Sequence, residues 1–145
     1  IANVIPSNDL NVLSVINYAV NHIKVKYIVV CGHYGCGGIK TAITATDAGI
    51  LNPWMGYIRD VYRLHKKELN AIKSIAKRSD RLVELNVQEQ CINLVKTRDI
   101  QQALLENRIE IHGWVFDMRT GKLIDLGFNT QKVAKEVLDI YNIVK

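Results

Sequence analysis

Three cysteines, at 31, 36 and 91, are an odd number, and two prolines are few in 145 residues; together they exclude a disulfide-stapled scaffold. A reducing, cytoplasmic compartment is the expectation. No run approaches the ~18 to 20 apolar residues that span a bilayer, so no membrane role is expected. No secretory pattern stands at the start, although the chain opens on Ile1 rather than Met. Charge of one sign is never concentrated. Lys and Arg number 19 against 14 Asp and Glu, a net +5. The densest basic stretch, His65 to Arg81, is broken by Glu68 and Asp80 and holds no aromatic residue to stack on a base. It reads as a solvated helical face, and no nucleic-acid partner is expected.

What is there suits one domain with a real core: 48% of the residues are hydrophobic and 23% charged. With no internal repeat, low-complexity stretch or linker, residues 1–145 read as a single domain. Val12, Val15, Ile16, Ala19, Val20 and Ile23 recur at the spacing of one helical face, with Ser7, Asn8 or Asp9 as the N-cap. Tyr27 to Cys31 is a continuous apolar run and predicts a strand buried on both faces. A glycine-rich turn follows, then a helix opening near Gly37 or Gly38. Pro53 suits the first turn of the next helix, and Trp54 to Ala76 reads as helical with a break. Arg81 to Lys96 carries Val83, Val87, Cys91, Leu94 and Val95 at helical spacing, and a shorter helix is expected near Asp99 to Glu106. Arg108 to Asp117 alternates, with Ile109, Ile111, Gly113 and Val115 on one side, and Thr120-Gly121 turns it into Lys122 to Leu126 as a hairpin. A last helix from about Thr130 would bury Val133, Val137, Ile140, Tyr141 and Val144. The fold class is therefore α/β: a mostly parallel sheet flanked by helices, ending in a hairpin and a helix.

The stretch CGHYGCGG, residues 31–38, is the unusual one. Its glycines match neither G-x-G-x-x-G nor a P-loop, which leaves phosphate binding weak. His33 and Cys36 lie three apart in a turn, where an imidazole nitrogen and a thiolate can converge on one ion. Zn²⁺ accepts that pair. The carboxyl end of a parallel strand is also where open α/β sheets bind ligands. On spacing alone, a loop histidine beside a half-buried thiol is an equal reading.

VVCGHYGCGGI at 29–39, NPWMGYIRDV at 52–61, ELNVQEQCINL at 84–94 and IHGWVFDMRTGKLIDL at 111–126 stand in a recognisable order and spacing. They resemble the β-class carbonic anhydrases, in their bacterial-type form, and the similarity runs from Ile1 to about Leu126. The resemblance implies an α/β fold and reversible hydration of carbon dioxide to bicarbonate and a proton. It implies one zinc per complete subunit, held by two cysteines and a histidine, and a homo-oligomer, dimer or tetramer. By position His33 matches the zinc histidine and Cys36 the second zinc cysteine.

In that family the first zinc cysteine belongs to a C-x-D-x-R segment, well upstream of an R-N-x-A-N motif whose end Ile1-Ala2-Asn3 resembles. The resemblance thus implies an N-terminally incomplete domain lacking one zinc ligand, the solvent-handling Asp–Arg pair, a helix and two strands. No catalytic residue is assigned within 1–145, and activity of this stretch alone is not expected. Cys31, conceivable as a third ligand in C-x-H-x-x-C, is ranked as a buried structural thiol, and Cys91 as a core thiol. His112 and Trp114 are expected to be packed, His22 and His65 solvated, and Arg59 and Asp60 paired with each other or across a subunit boundary. Phe116 stands where many members have a tyrosine, which some of them use around an inhibitory bicarbonate pocket, and that hydroxyl is lost here. The alternative function is an anhydrase-like chain without catalysis, an oligomerising or metal-holding module. Thiol redox is disfavoured by the C-x₄-C spacing of Cys31 and Cys36.

Overall fold

A computed structural model describes residues 3–144; Ile1 and Ala2, the start of the I-A-N resemblance, lie outside the described residues. The Asp9 carboxylate accepts from the amides of Asn11 and Val12 and so caps α1 (Leu10–Asn17). The single helix expected to Ile23 widens after Asn17 into a π-helical stretch, Tyr18–Ile23, which stops at Lys24 in the left-handed region (φ 59). Ile16 and Val20 are buried, whereas Val15 and Ile23 face solvent. The wider turn carries Ile23 off the stripe that a 3.6-residue repeat would give it.

Strand β1 (Tyr27–His33) pairs in parallel with β2 (Glu110–Asp117), Tyr27 opposite Glu110 and His33 opposite Phe116. Strand β3 (Lys122–Asp125) returns antiparallel to β2, completing a small mixed sheet in the order β1-β2-β3. The crossover between the parallel strands consists of α2 (Gly37–Ile43), α3 (Asn52–Leu64), α4 (Lys66–Ala71), α5 (Ile75–Val95) and α6 (Arg98–Leu105), and α7 (Thr130–Tyr141) closes the chain. The break expected between Trp54 and Ala76 falls at His65 and again after Ala71, where the Arg78 guanidinium donates to the Ile72 carbonyl at 2.7 and 3.0 Å.

Helix α5 is the centre of the fold. Leu82, Val83, Leu85, Val87, Cys91, Leu94 and Val95 are each at most 2% exposed, because the helix packs on β1 and β2 on one side and on α2, α3, α4, α6 and α7 on the others. Two glycines let it approach the sheet. A Cβ at Gly32 would lie 2.7 Å from Val87 and 3.0 Å from Val83, and one at Gly113 would lie 3.2 Å from Val87 and 3.4 Å from the Cys91 sulfur. Buried amides on the same helix are all occupied. The Ile5 N–H donates to Gln90 Oε1 at 2.8 Å, Gln90 donates to Asn86 Oδ1 at 3.1 Å, Asn86 donates to Asn3 Oδ1 at 3.1 Å, and Asn3 donates to the Cys31 carbonyl at 3.1 Å. This chain of bonds ties the N-terminal segment to the outer edge of β1.

Two expectations fail on β1. Ile28, Val30 and Gly32 turn toward α5, but Tyr27, Val29, Cys31 and His33 point the other way and are exposed. Strand residues alternate, and among the described residues only one face of β1 meets a helix. The strand is therefore half-buried rather than buried on both faces, and Cys31 is an exposed thiol rather than a core one. In α7, Ala134 is buried and Val133, Val137 and Leu138 are partly so, but Ile140 is exposed. Val144 is buried beyond the helix, where the Gln101 side chain binds the Tyr141 carbonyl and the Ile143 amide at 2.8 and 3.0 Å.

Candidate metal centre

Strand β1 ends at His33, and the Tyr34 N–H continues the pairing by donating to the Phe116 carbonyl at 3.1 Å. Gly35 then turns the chain at φ +76, a conformation that side chains disfavour. Cys36 takes the N-cap of α2 with ψ 124, and its carbonyl accepts from Lys40 N to close the first turn. A Cβ at Gly38 would stand 3.4 Å from the Trp54 ring, so the start of α2 lies directly on α3. Strand, glycine turn and helix thus follow as expected, with His33 and Cys36 on either side of the turn.

The His33 ring is exposed, and its Nδ1 lies 3.0 Å from the Tyr34 carbonyl oxygen. A carbonyl only accepts, so Nδ1 is the donor here, and in a neutral imidazole that leaves the lone pair on Nε2. That is the arrangement by which histidine ligands are oriented toward a metal. Cys36 is half-buried and unpaired, and Cys31 donates to the neighbouring Gly32 carbonyl at 3.4 Å. Among the described residues no three His, Cys, Asp or Glu side chains come together, so Cys31 does not join His33 and Cys36 in one set. An imidazole nitrogen and a thiol sulfur are donors that suit zinc and do not suit Mg²⁺ or Ca²⁺.

Behind the loop stands a polar network that sequence reading missed. The Tyr34 hydroxyl donates to Glu84 Oε1 at 2.7 Å, and Arg81 bridges Glu84 Oε2 at 2.7 Å and Glu68 Oε1 at 2.6 Å. Arg119, on the turn between β2 and β3, lies 5.5 Å over the Tyr34 ring and pairs with Asp117 at 3.0 Å and Asp80 at 3.5 Å. Burial, and then the bond to Glu84, push the Tyr34 phenol up to about 12, so it remains a donor at neutral pH. Arg119 beside Asp117 holds that carboxyl below its ordinary range. The signal in the sequence was the tyrosine between the two candidate ligands, but its acid lies 50 residues away.

The other conspicuous residues are structural. Cys91 is fully buried, and burial pushes its thiol up to about 12. His112 sits between the rings of Tyr27 and Trp114, at 5.9 and 6.0 Å, and is packed as expected. His22 is exposed, while His65 is half-buried 3.9 Å from Glu68 rather than solvated. Arg59 and Asp60 do not pair with each other, since adjacent helical residues face apart. Arg59 donates to the Thr46 carbonyl and Asp60 pairs with Arg63.

Fold and loop together define an α/β domain with a histidine and a cysteine presented at the carboxyl edge of a parallel strand pair. The family described as carbonic anhydrase matches residues 1–123. A carbonic anhydrase of Emericella nidulans is 56% identical over the whole chain, which covers 64% of that relative. The β-carbonic anhydrase CafA of Aspergillus fumigatus superposes with a TM-score of 0.87 at 35% identity, over 97% of this chain and 68% of that one. One of two tetrameric β-carbonic anhydrases of Sordaria macrospora gives 0.84 at 38% identity, over 88% and 66%. The chain belongs to the carbonic anhydrase family, in its β class. It spans about two thirds of the length of these relatives.

Proposed function

We propose that the protein carrying this chain catalyses the reversible hydration of carbon dioxide to bicarbonate and a proton, using one zinc ion per complete subunit. His33 Nε2 and Cys36 Sγ are two of its ligands in this reading. The observation that carries it is the bond from His33 Nδ1 to the Tyr34 carbonyl, which in a neutral imidazole keeps the Nε2 lone pair available, on an exposed ring in the same glycine turn as the free thiol of Cys36. Zinc prefers four ligands in structural and catalytic sites, so this pair supplies only part of the set. When bound, zinc lowers the pKa of a coordinated water from about 15.7 toward 7, which makes a nucleophile for carbon dioxide available at neutral pH. His33 keeps its proton on Nδ1, and Cys36, fixed at the start of α2, presents a sulfur that binds as thiolate.

The same reading makes the protein a homo-oligomer in a cytoplasmic, reducing compartment. Support for assembly comes from the Sordaria macrospora relatives, described as tetrameric, and from the exposed apolar residues Tyr27 and Val29 on the outer face of β1. All three cysteines are free, in keeping with a reducing compartment. No described helix is long and apolar enough to cross a membrane. Stopped-flow hydration of carbon dioxide before and after chelation tests the activity, with a large loss expected on removing metal. Equal rates in the two samples would count against it.

A further inference from the structure

We infer that Tyr34 is a positioning residue for the metal loop: anchored through its phenol on Glu84, it holds its own carbonyl where that oxygen fixes His33 with Nε2 open to the metal. The inference rests on the metal reading of the loop and adds a residue to it. Tyr34 is held at three points. Its hydroxyl donates to Glu84 Oε1 at 2.7 Å, its N–H donates to the Phe116 carbonyl at 3.1 Å, and its carbonyl accepts from His33 Nδ1 at 3.0 Å. The acceptor for the hydroxyl is itself restrained, because Arg81 joins Glu84 on α5 to Glu68 on α4. The ring packs against the core on one side and meets the Arg119 guanidinium at 5.5 Å.

On the far side of Tyr34 the loop is open. Nothing lies within 4 Å of where a Cβ of Gly35 or Gly37 would stand, so the next glycines contribute no packing that could aim the Tyr34 carbonyl. The side-chain anchor and the bond to Phe116 therefore set its direction. An imidazole deprived of that acceptor is free to carry its proton on Nε2, and a protonated Nε2 cannot bind a metal. Through one backbone carbonyl, a helix-borne carboxylate thus selects the tautomer of a ligand it does not touch.

The test uses metal-free chain, with long-range ¹H–¹⁵N NMR of the His33 ring, and then zinc titration against a competing chelator. Wild type is expected to show His33 protonated on Nδ1. Tyr34→Phe and Glu84→Ala should give mixed tautomers and a zinc affinity lower by about tenfold, the scale of lost outer-shell partners. Glu84→Gln keeps an oxygen acceptor for the hydroxyl and should keep the wild-type tautomer. An unchanged His33 tautomer and unchanged zinc affinity in Tyr34→Phe would overturn the inference, whatever happens to thermal stability. His33→Ala separates the two readings: unchanged zinc affinity there would sink the metal assignment, while the tautomer comparison still decides the role of Tyr34.

Discussion

Gly32 and Tyr34 are neighbours but one, and each shows how a single side chain, or its lack, controls this end of β1. Replacing Gly32 by alanine drives a methyl to 2.7 Å from Val87 and 3.0 Å from Val83. Gly32→Ala should cost about 1 to 3 kcal/mol, as over-packed sites do, and Gly113→Ala less. Adding Val87→Ala to Gly32→Ala should recover part of the loss, since contacting sites are coupled. Urea denaturation of the four proteins checks this. For Tyr34 the sign follows from a phenol whose folded pKa, pushed up to about 12, lies above the ordinary tyrosine value of 10.0. Its contribution to stability is complete below pH 10 and is lost as pH rises from 10 toward 12, because the unfolded chain releases that proton first. The urea midpoint of wild type should therefore fall across that range more steeply than that of Tyr34→Phe. Parallel slopes would show that the phenol is not held as described. Spacing raised His33 and Cys36 as a pair but left a loop histidine beside a half-buried thiol equally open, and only the resemblance assigned them to a metal. Spacing could not place Cys31, because a run of apolar residues reads the same whether one face or two is covered.

At the scale of elements, α5 carries most of the fold. Its periodicity was readable as a helix with one apolar face, yet the structure buries it on nearly every side, Asn86 and Gln90 included, at 3% and 1% exposure. Polar residues in a helix signal solvent unless their partners are known. Here the partners are Ile5, Asn3 and Asn93, two of them more than 80 residues away in sequence. Gln90→Ala should leave the half-buried Ile5 N–H without its acceptor, at about 1 kcal/mol. Hydrogen exchange should then speed up at Ile5 more than in β2, and uniform protection would argue against the amide chain as the anchor of the N-terminal segment. Local rules succeeded where they were self-contained. Asp9 as a cap, Pro53 in the first turn of α3 and Thr120-Gly121 in the hairpin needed no distant partner. The π-helical widening after Asn17 has no comparable local signature, and the expected helix face was misjudged there.

For the molecule as a whole, the α/β architecture was readable because four separated motifs stand in register along the chain. The parallel pair β1–β2 and the hairpin β2–β3 follow the predicted order. Exposure of Tyr27, Val29 and Cys31 on the outer face of β1 was not readable, since a continuous apolar run carries no mark of which face stays uncovered. No strand among the described residues pairs with the outer edge of β1, and such an edge is a template for association. Sedimentation equilibrium should find species heavier than a single chain, and a monomer at every concentration would contradict the proposed homo-oligomer. Zinc-edge X-ray absorption decides whether the loop from His33 to Cys36 is a zinc site. With zinc loaded, imidazole and sulfur scatterers are expected in wild type, and one sulfur fewer per zinc in Cys36→Ser. A spectrum with the same sulfur shell in both proteins would contradict it.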